Sequence, residues 1–451
     1  MAAQRYKCTN FGNCVNADSG TFVDIAAGEN NPVCPVCAKP LTLVPGTARR
    51  SPAAALIPLI VLLLLAFLGW KLLAGRHAGT GPVASSGGGA PLPAGTNTAP
   101  SAPGDALMYF ERSDEKWLTQ AADDFNKQNP GTARIILDYR GSREGKQDIL
   151  YGKGHPVVWN PADTYWVDKL NLDWKNPAVG KHEADAISDS RTVLSTSYVL
   201  VMWQDRAQVF TAAMRQPRYR GKTWQLMSDV ATKGWAAAGG PAAWGKLKLA
   251  QSNPIESNGG TVTLALMFAE YSKSHPGATP SSAGFLAFMR GIEGSVVKFQ
   301  NTTSKGLEAM QNGGKSQYDM AVAYEINALS AVDKGQTDIQ VVYPDPTVQV
   351  NFPAAILKAP WVTDAQTQTA TKFVDYLLTR DVQQRAVSFG FRPALADMRS
   401  AVDDSFSNGP HGKAGFQLDP PTVVRPVSTR VIDDLLYQWY KIYGAAGTPP
   451  A

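Results

Sequence analysis

Cys8, Cys14, Cys34 and Cys37 are the only cysteines in a chain of 451 residues, and all four fall in its N-terminal stretch. Four thiols so placed can form two disulfides or hold one zinc ion tetrahedrally, with Zn–S near 2.3 Å. Cys34-Pro35-Val36-Cys37 is a CPxC knuckle, whose turn aims both sulfurs into one pocket. Cys8 and Cys14 have a wider spacing, with Gly12 and Asn13 as turn formers before Cys14. Four thiolates leave no coordination position open for a substrate, so zinc bound here is structural. A segment this small needs such a staple, because it cannot bury enough apolar surface to fold alone.

A second chemical candidate lies far downstream. In "SNPIESNGGTVTLAL", Ser257, Asn258, Gly259, Gly260 and Thr261 precede an apolar helix. Helix-start N–H groups attract anions, and the glycines allow a bound group to approach the backbone. Ser257 and Thr261 add hydroxyl donors. An ordinary capped loop uses the same residue types. "YRGSREGKQDI" is another, with Ser142 and Arg143 after a strand pattern. It fails as a P-loop because Gly141 and Gly145 are too close and Gln147 stands where Ser or Thr is needed. Arg143 can pair with an anion or simply be a solvated surface arginine. Trp159 or Trp166 could stack on a sugar, although core packing is the commoner use of tryptophan. His77, His155, His182, His275 and His411 are scattered and form no catalytic pattern, so no enzyme activity is expected. The formal net charge of +5 forms no basic stripe, and nucleic acid is not an expected partner.

The elements that carry these groups are readable. "AAALIPLIVLLLLAFLGW", Ala53–Trp70, has no charge and no polar stripe, and with Lys71 snorkelling it gives an expected transmembrane helix over 53–74. A Gly/Pro/Ser-rich linker follows over 75–104. Lys39, Arg49 and Arg50 slightly outnumber Lys71 and Arg76 across that segment, which favours a cytosolic N-terminus. Residues 1–45 resemble a zinc ribbon, and a reducing cytosol favours zinc over disulfides there. The thiol-free remainder, 105–445, is then extracytoplasmic, and the chain a single-pass protein of a bacterial inner membrane.

In 105–445, strand-like runs at 133–139, 155–159, 197–203, 245–251, 318–324 and 338–344 alternate with helical patterns. That alternation predicts an α/β fold with mostly parallel sheets, and the length predicts two lobes. Ser113, Asp114 and Glu115 form a helix start, with Ser113 as its cap.

Four segments in order carry a family resemblance: "HPVVWNPADTYW", "LAQSNPIESNGGTVTLALMFAEY", "YDMAVAYEINAL" and "FVDYLLTRDVQQRAVSFGFRPA". They resemble the type II periplasmic solute-binding proteins that serve ABC importers, and among them the phosphate-like group. The resemblance implies a two-lobed receptor, with lobe 1 about 105–199 and 343–445 and lobe 2 about 200–342. Its two chain crossings are expected near Val199–Val201 and Val341–Tyr343. It implies capture of a small polar solute, an oxyanion such as phosphate, for delivery to an ABC-type permease. The implied ligand residues are Ser113, Ser142, Arg143, Asp163, Ser257, Asn258, Gly259, Gly260, Thr261 and Tyr324. Asp163 stands where the family often has serine, so a carboxylate there would suit a protonated oxyanion, a cation or a polyol. The alternative role is a sensor or scaffold whose cytosolic zinc ribbon docks a partner protein.

Overall fold

The computed structural model describes residues 4–8, 22–25, 32–34, 39–43, 102–130, 133–421 and 427–444. The expected membrane segment and linker lie outside the described residues, as do Cys14 and Cys37. Among the described residues, no helix is long and apolar enough to cross a membrane. The N-terminal part is a three-stranded antiparallel sheet of β1 (Gln4–Lys7), β2 (Phe22–Ile25) and β3 (Thr42–Leu43), with β1 central. Its small core gathers Tyr6, Cys8, Cys34 and Leu41.

The rest is built on β4 (Ala106–Phe110), β5 (Ile135–Tyr139), β6 (Val158–Asn160), β7 (Ile187–Trp203), β8 (Leu249–Ser252), β9 (Val296–Gln300), β10 (Met320–Tyr324), β11 (Ile339–Val342), β12 (Gln349–Leu357) and β13 (Arg392–Pro393). Their order is β5-β4-β6-β12-β7-β10-β8-β9, with β11 and β13 also on β7. Each lobe has three mutually parallel strands: β5, β4 and β6 in lobe 1, and β10, β8 and β9 in lobe 2. The pairings of β7 and β12 are antiparallel, so the sheets are mixed rather than mostly parallel.

One strand joins the lobes. β7 pairs with β12 through Ser197, then with β10 from Tyr198 onward. The chain returns through residues 343–348 between β11 and β12. The first crossing thus comes slightly earlier than Val199, because the polar half of β7, "ISDSRTVLST", is already strand. β12 escapes the sequence pattern for a related reason: Pro353 interrupts it at a register shift.

A buried ion pair sits where the crossings meet. Arg392 on β13 pairs with Ser195 of β7 in lobe 1. Its Nε and Nη2 each donate at 2.8 Å to the two carboxylate oxygens of Glu325, the first helical residue after β10 in lobe 2. The Tyr343 hydroxyl from the return segment donates to Glu325 Oε1. The Ser197 N–H points at Oε2 from 3.4 Å. Arg392 also donates to the carbonyls of Leu418 and Gln417.

The C-terminal region departs from the expected assignment of 343–445 to lobe 1. Met398, Val402, Phe406, Ala414 and Phe416 pack with Val199, Val201, Trp203 and Leu307 of lobe 2. Helix Thr429–Tyr443 touches both lobes. Its Asp433 takes hydrogen bonds from Lys169 (2.9 Å) and Tyr165 (3.1 Å), and its Trp439 donates to Glu293 at 2.7 Å.

Removing one member of the hinge pair strands the other charge in a dry site. Arg392→Met or Glu325→Gln alone should cost about 3–5 kcal/mol in chemical denaturation. The double variant should cost less than the sum of the two. Simple additivity would show that the pair is not coupled.

Candidate functional site

The lobes enclose a cleft of about 1000 Å³. Lobe 1 contributes Glu111–Ser113 after β4, Tyr139–Gln147 around the end of β5, and Ala162 and Trp166 after β6. Lobe 2 contributes Ile255–Asn258 after β8, Asn301–Ser304 after β9, and Tyr324–Asn327 at the end of β10. All six groups follow strand C-termini, where α/β sheets bind ligands. Hydrogen bonds among the described residues cross between the lobes here: Arg143 Nη1 donates to the Ile255 carbonyl at 2.5 Å, and Trp166 Nε1 donates to Asn258 Oδ1 at 3.0 Å. Arg143 is therefore an interlobe tie, not a solvated arginine. Trp166 is a second tie, while Trp159 is fully buried.

Several helix N-termini line this cleft, and their capping decides what each offers; that of helix Glu115–Gln128 follows Asp114, which makes no side-chain cap. At helix Ser142–Leu150, the Glu111 carboxylate already occupies the anion position. Its Oε1 accepts from Ser142 N–H (2.8 Å) and Ser142 Oγ (2.7 Å), and its Oε2 from Arg112 N–H (3.2 Å). Ser142 Oγ in turn accepts the Ala162 N–H at 2.9 Å. The Ser142 hydroxyl is thus committed to holding two lobe 1 loops together. At helix Thr303–Gln317, Thr302 accepts from Lys305 N–H. At helix Glu325–Asp333, the Asn327 side chain reaches back to the Tyr324 N–H, and Thr196 Oγ1 takes the Ile326 N–H. At helix Asn258–Ser274, Ser257 makes no side-chain cap, and its hydroxyl lies 3.1 Å from Thr303 Oγ1.

Several expected ligand residues serve the fold instead. A Cβ on Gly259 would sit 2.2 Å from Thr303 Oγ1, and one on Gly260 would sit 2.5 Å from the Ser252 carbonyl oxygen. Both glycines admit close protein packing rather than a ligand. Thr261 is buried and donates to the Pro254 carbonyl at 3.0 Å. Asp163 lies outside the cleft lining and caps helix Thr164–Lys175, accepting the Tyr165 N–H at 2.8 Å. Serine and aspartate are interchangeable caps, which explains the substitution without a ligand. Burial pushes the Asp163 carboxyl up to about 6, against the hydrogen bonds from Tyr165, Thr164 and Asn258.

Ser113, Ser257, Asn258 and Tyr324 do line the cleft. Asn258 donates to the Tyr324 hydroxyl at 2.9 Å while accepting from Trp166, so it sets the aromatic wall on both sides. Glu111, Asn301, Thr302, Thr303 and Asn327 were missed by the motif reading. Glu111 and the 301–303 run each follow a short strand, β4 or β9, that carries no clear alternation. Recognising those strands would have pointed to the polar residues after them.

Residues 109–392 match the model of a family described as bacterial extracellular solute-binding protein, and the chain belongs to that family. Its members are binding proteins, not enzymes. An uncharacterised protein of Mycobacterium tuberculosis is 23% identical over 275 residues, which covers 56% of this chain and 38% of that protein. The chain thus spans well under half the length of that relative. Among solved structures, a ferric binding protein from Campylobacter jejuni aligns with a TM-score of 0.51 at 10% identity, over 76% of this chain and 99% of that one. That likeness supports the two-lobed fold alone. The sulfate-binding protein SubI of M. tuberculosis aligns at 0.45 and 16% identity, over 69% and 96%.

The Asp163 cap has a pH signature. Its carboxyl sits higher in the folded chain than the unfolded value near 3.8, so its contribution is present below that value and is lost as pH rises through about 6. Asp163→Asn keeps the cap and removes the ionisation. In melts at pH 4 and pH 8, the variant should gain on the parent at pH 8 only, by an amount on the order of 3 kcal/mol. An equal offset at both pH values would contradict this.

Proposed function

We propose that the chain is a membrane-anchored receptor that captures a small polar solute between its lobes and presents it to an ABC-type permease. The observation that carries this reading is the cleft itself, lined by strand C-termini of both lobes and bridged by Arg143 and Trp166. The tie at Asn258 links the bridge to Tyr324, and Tyr198 of β7 donates to the Gly259 carbonyl at 2.7 Å. A solute touching Asn258 therefore bears on the strand where the lobes change over. Domain closure by hinging follows naturally from two crossing segments.

In the same proposal, 53–74 spans the membrane and residues 1–45 form a zinc ribbon on its cytosolic side. Burial of both Cys8 and Cys34 in the core of the small sheet supports a staple there. A second reading has a specific observation behind it: Lys7 of β1 lines the cleft near Arg143. On that reading the small sheet stays on the same side as the cleft and covers its rim. A membrane between the two parts excludes that contact. The sensor role, in which a cytosolic ribbon docks a partner protein, applies only to the first arrangement.

Three measurements test this. Arg143→Ala should weaken binding of whatever solute co-purifies with the chain and should shift solution scattering toward a more open particle. Ser272→Ala, further along the Asn258 helix, should do neither. Unchanged affinity in Arg143→Ala would remove the cleft from consideration. Protein made under reducing conditions should carry one zinc per chain and lose the small sheet's structure on chelation. Metal-free protein with two disulfides would refute the ribbon. Protease added to spheroplasts should digest the cleft domain and spare an N-terminal tag, whereas loss of both would favour the covering arrangement.

A further inference from the structure

We infer that Glu111 is a specificity-determining residue: an in-chain carboxylate that fills the anion position of lobe 1, so that the cleft takes an organic solute offering hydroxyl or ammonium donors rather than an inorganic oxyanion. This deepens the receptor reading and rests on it.

Glu111 lies in the cleft wall directly after β4. Three donors already converge on its carboxylate: Ser142 N–H, Ser142 Oγ and Arg112 N–H. That is the donor set a helix N-terminus and its loop would present to a phosphate or sulfate. The position is filled by the protein's own charge, and the Ala162 N–H on Ser142 Oγ fixes the hydroxyl that serves it. A second carboxylate stands three residues on. Asp114 is 1% exposed, and among the described residues its oxygens find no hydrogen-bond partner on another residue. Burial and the adjacent Glu111 charge push its carboxyl well above the usual range. An incoming oxyanion at the Ser142 helix start would face the Glu111 charge, because Glu111 already takes the N–H groups there. A hydroxyl or ammonium would instead find a carboxylate held in place in the cleft wall.

Lobe 2 is consistent with a larger, two-ended solute. Its helix ends at Thr303 and Glu325 are closed by their own side chains, and only the Asn258 end lacks a side-chain cap. Of that end, Ser257 and Asn258 face the cleft. The cleft volume of about 1000 Å³ also falls at the upper end of sites that hold drug-sized organic ligands.

The test is calorimetry on the purified full chain, with sodium sulfate and sodium phosphate as the probes. The parent should give no saturable heat with either anion at millimolar concentration. Glu111→Ala exposes the Ser142 and Arg112 N–H groups and should bind sulfate about tenfold or more tightly than the parent. Glu111→Gln keeps an acceptor on Ser142 and preserves the loop, so it controls for misfolding and should show a smaller gain. Tight sulfate or phosphate binding by the parent overturns the inference, as does no gain in a folded Glu111→Ala. Both results are separate from failure of the receptor reading, in which Arg143→Ala leaves the co-purified solute bound as before.

Discussion

The Glu325–Arg392 pair is the constraint on which the two-lobed arrangement depends. Glu325 begins the helix after β10, Arg392 sits on β13 against β7, and Tyr343 joins them from the return segment. A buried ion pair adds little net stability compared with apolar packing, but removing either partner is costly. Its effect is therefore geometric. It fixes where β7 passes from one lobe to the other, and so fixes the angle from which both lobes face the cleft. Ser197, the last β7 residue paired in lobe 1, directs its N–H at the same carboxylate.

The cleft follows from that frame. Parallel strands in both lobes send their loops to one side, and the helix ends converge there. Convergence alone would describe an anion receptor. The capping pattern changes that description, because Glu111, Thr302 and the Tyr324–Asn327 pair satisfy three of those ends from within the chain. What remains open is a polar space lined by charges of both signs, with the uncapped helix starts at Glu115 and Asn258 and the Glu111 carboxylate held in its wall. The interlobe ties at Arg143 and Trp166 are short polar contacts of the kind that form and break as lobes close and open.

Much of the architecture was legible in the sequence, and the site much less so. Six strand patterns and four ordered segments pointed to the two-lobed α/β fold, because hydrophobic runs of buried strands survive any change of ligand. "YDMAVAYEINAL" and "GFRPA" were singled out, yet Glu325 and Arg392 meet at the hinge, and of the Tyr-Glu and Arg-Pro pairs only Tyr324 lines the cleft. Sequence spacing cannot show that Glu325 and Arg392 share one buried site. The glycines of "SNGG" and the hydroxyls of Ser142 and Thr261 have types suited to ligands, but three-dimensional neighbours claim them first. Asp163 looked like a functional departure and is a helix cap. Glu111 drew no notice because β4 is short and unpatterned, and its role depends on a loop about thirty residues away.

The central claim is that this cleft holds a donor-bearing organic solute. A native mass spectrum of the purified full chain, taken without exchange into denaturant, tests it most directly. The account predicts a single adduct of organic mass, neutral or cationic, that is lost when Arg143 is replaced by alanine. An adduct of sulfate or phosphate mass, or an adduct that survives that replacement unchanged, would contradict it.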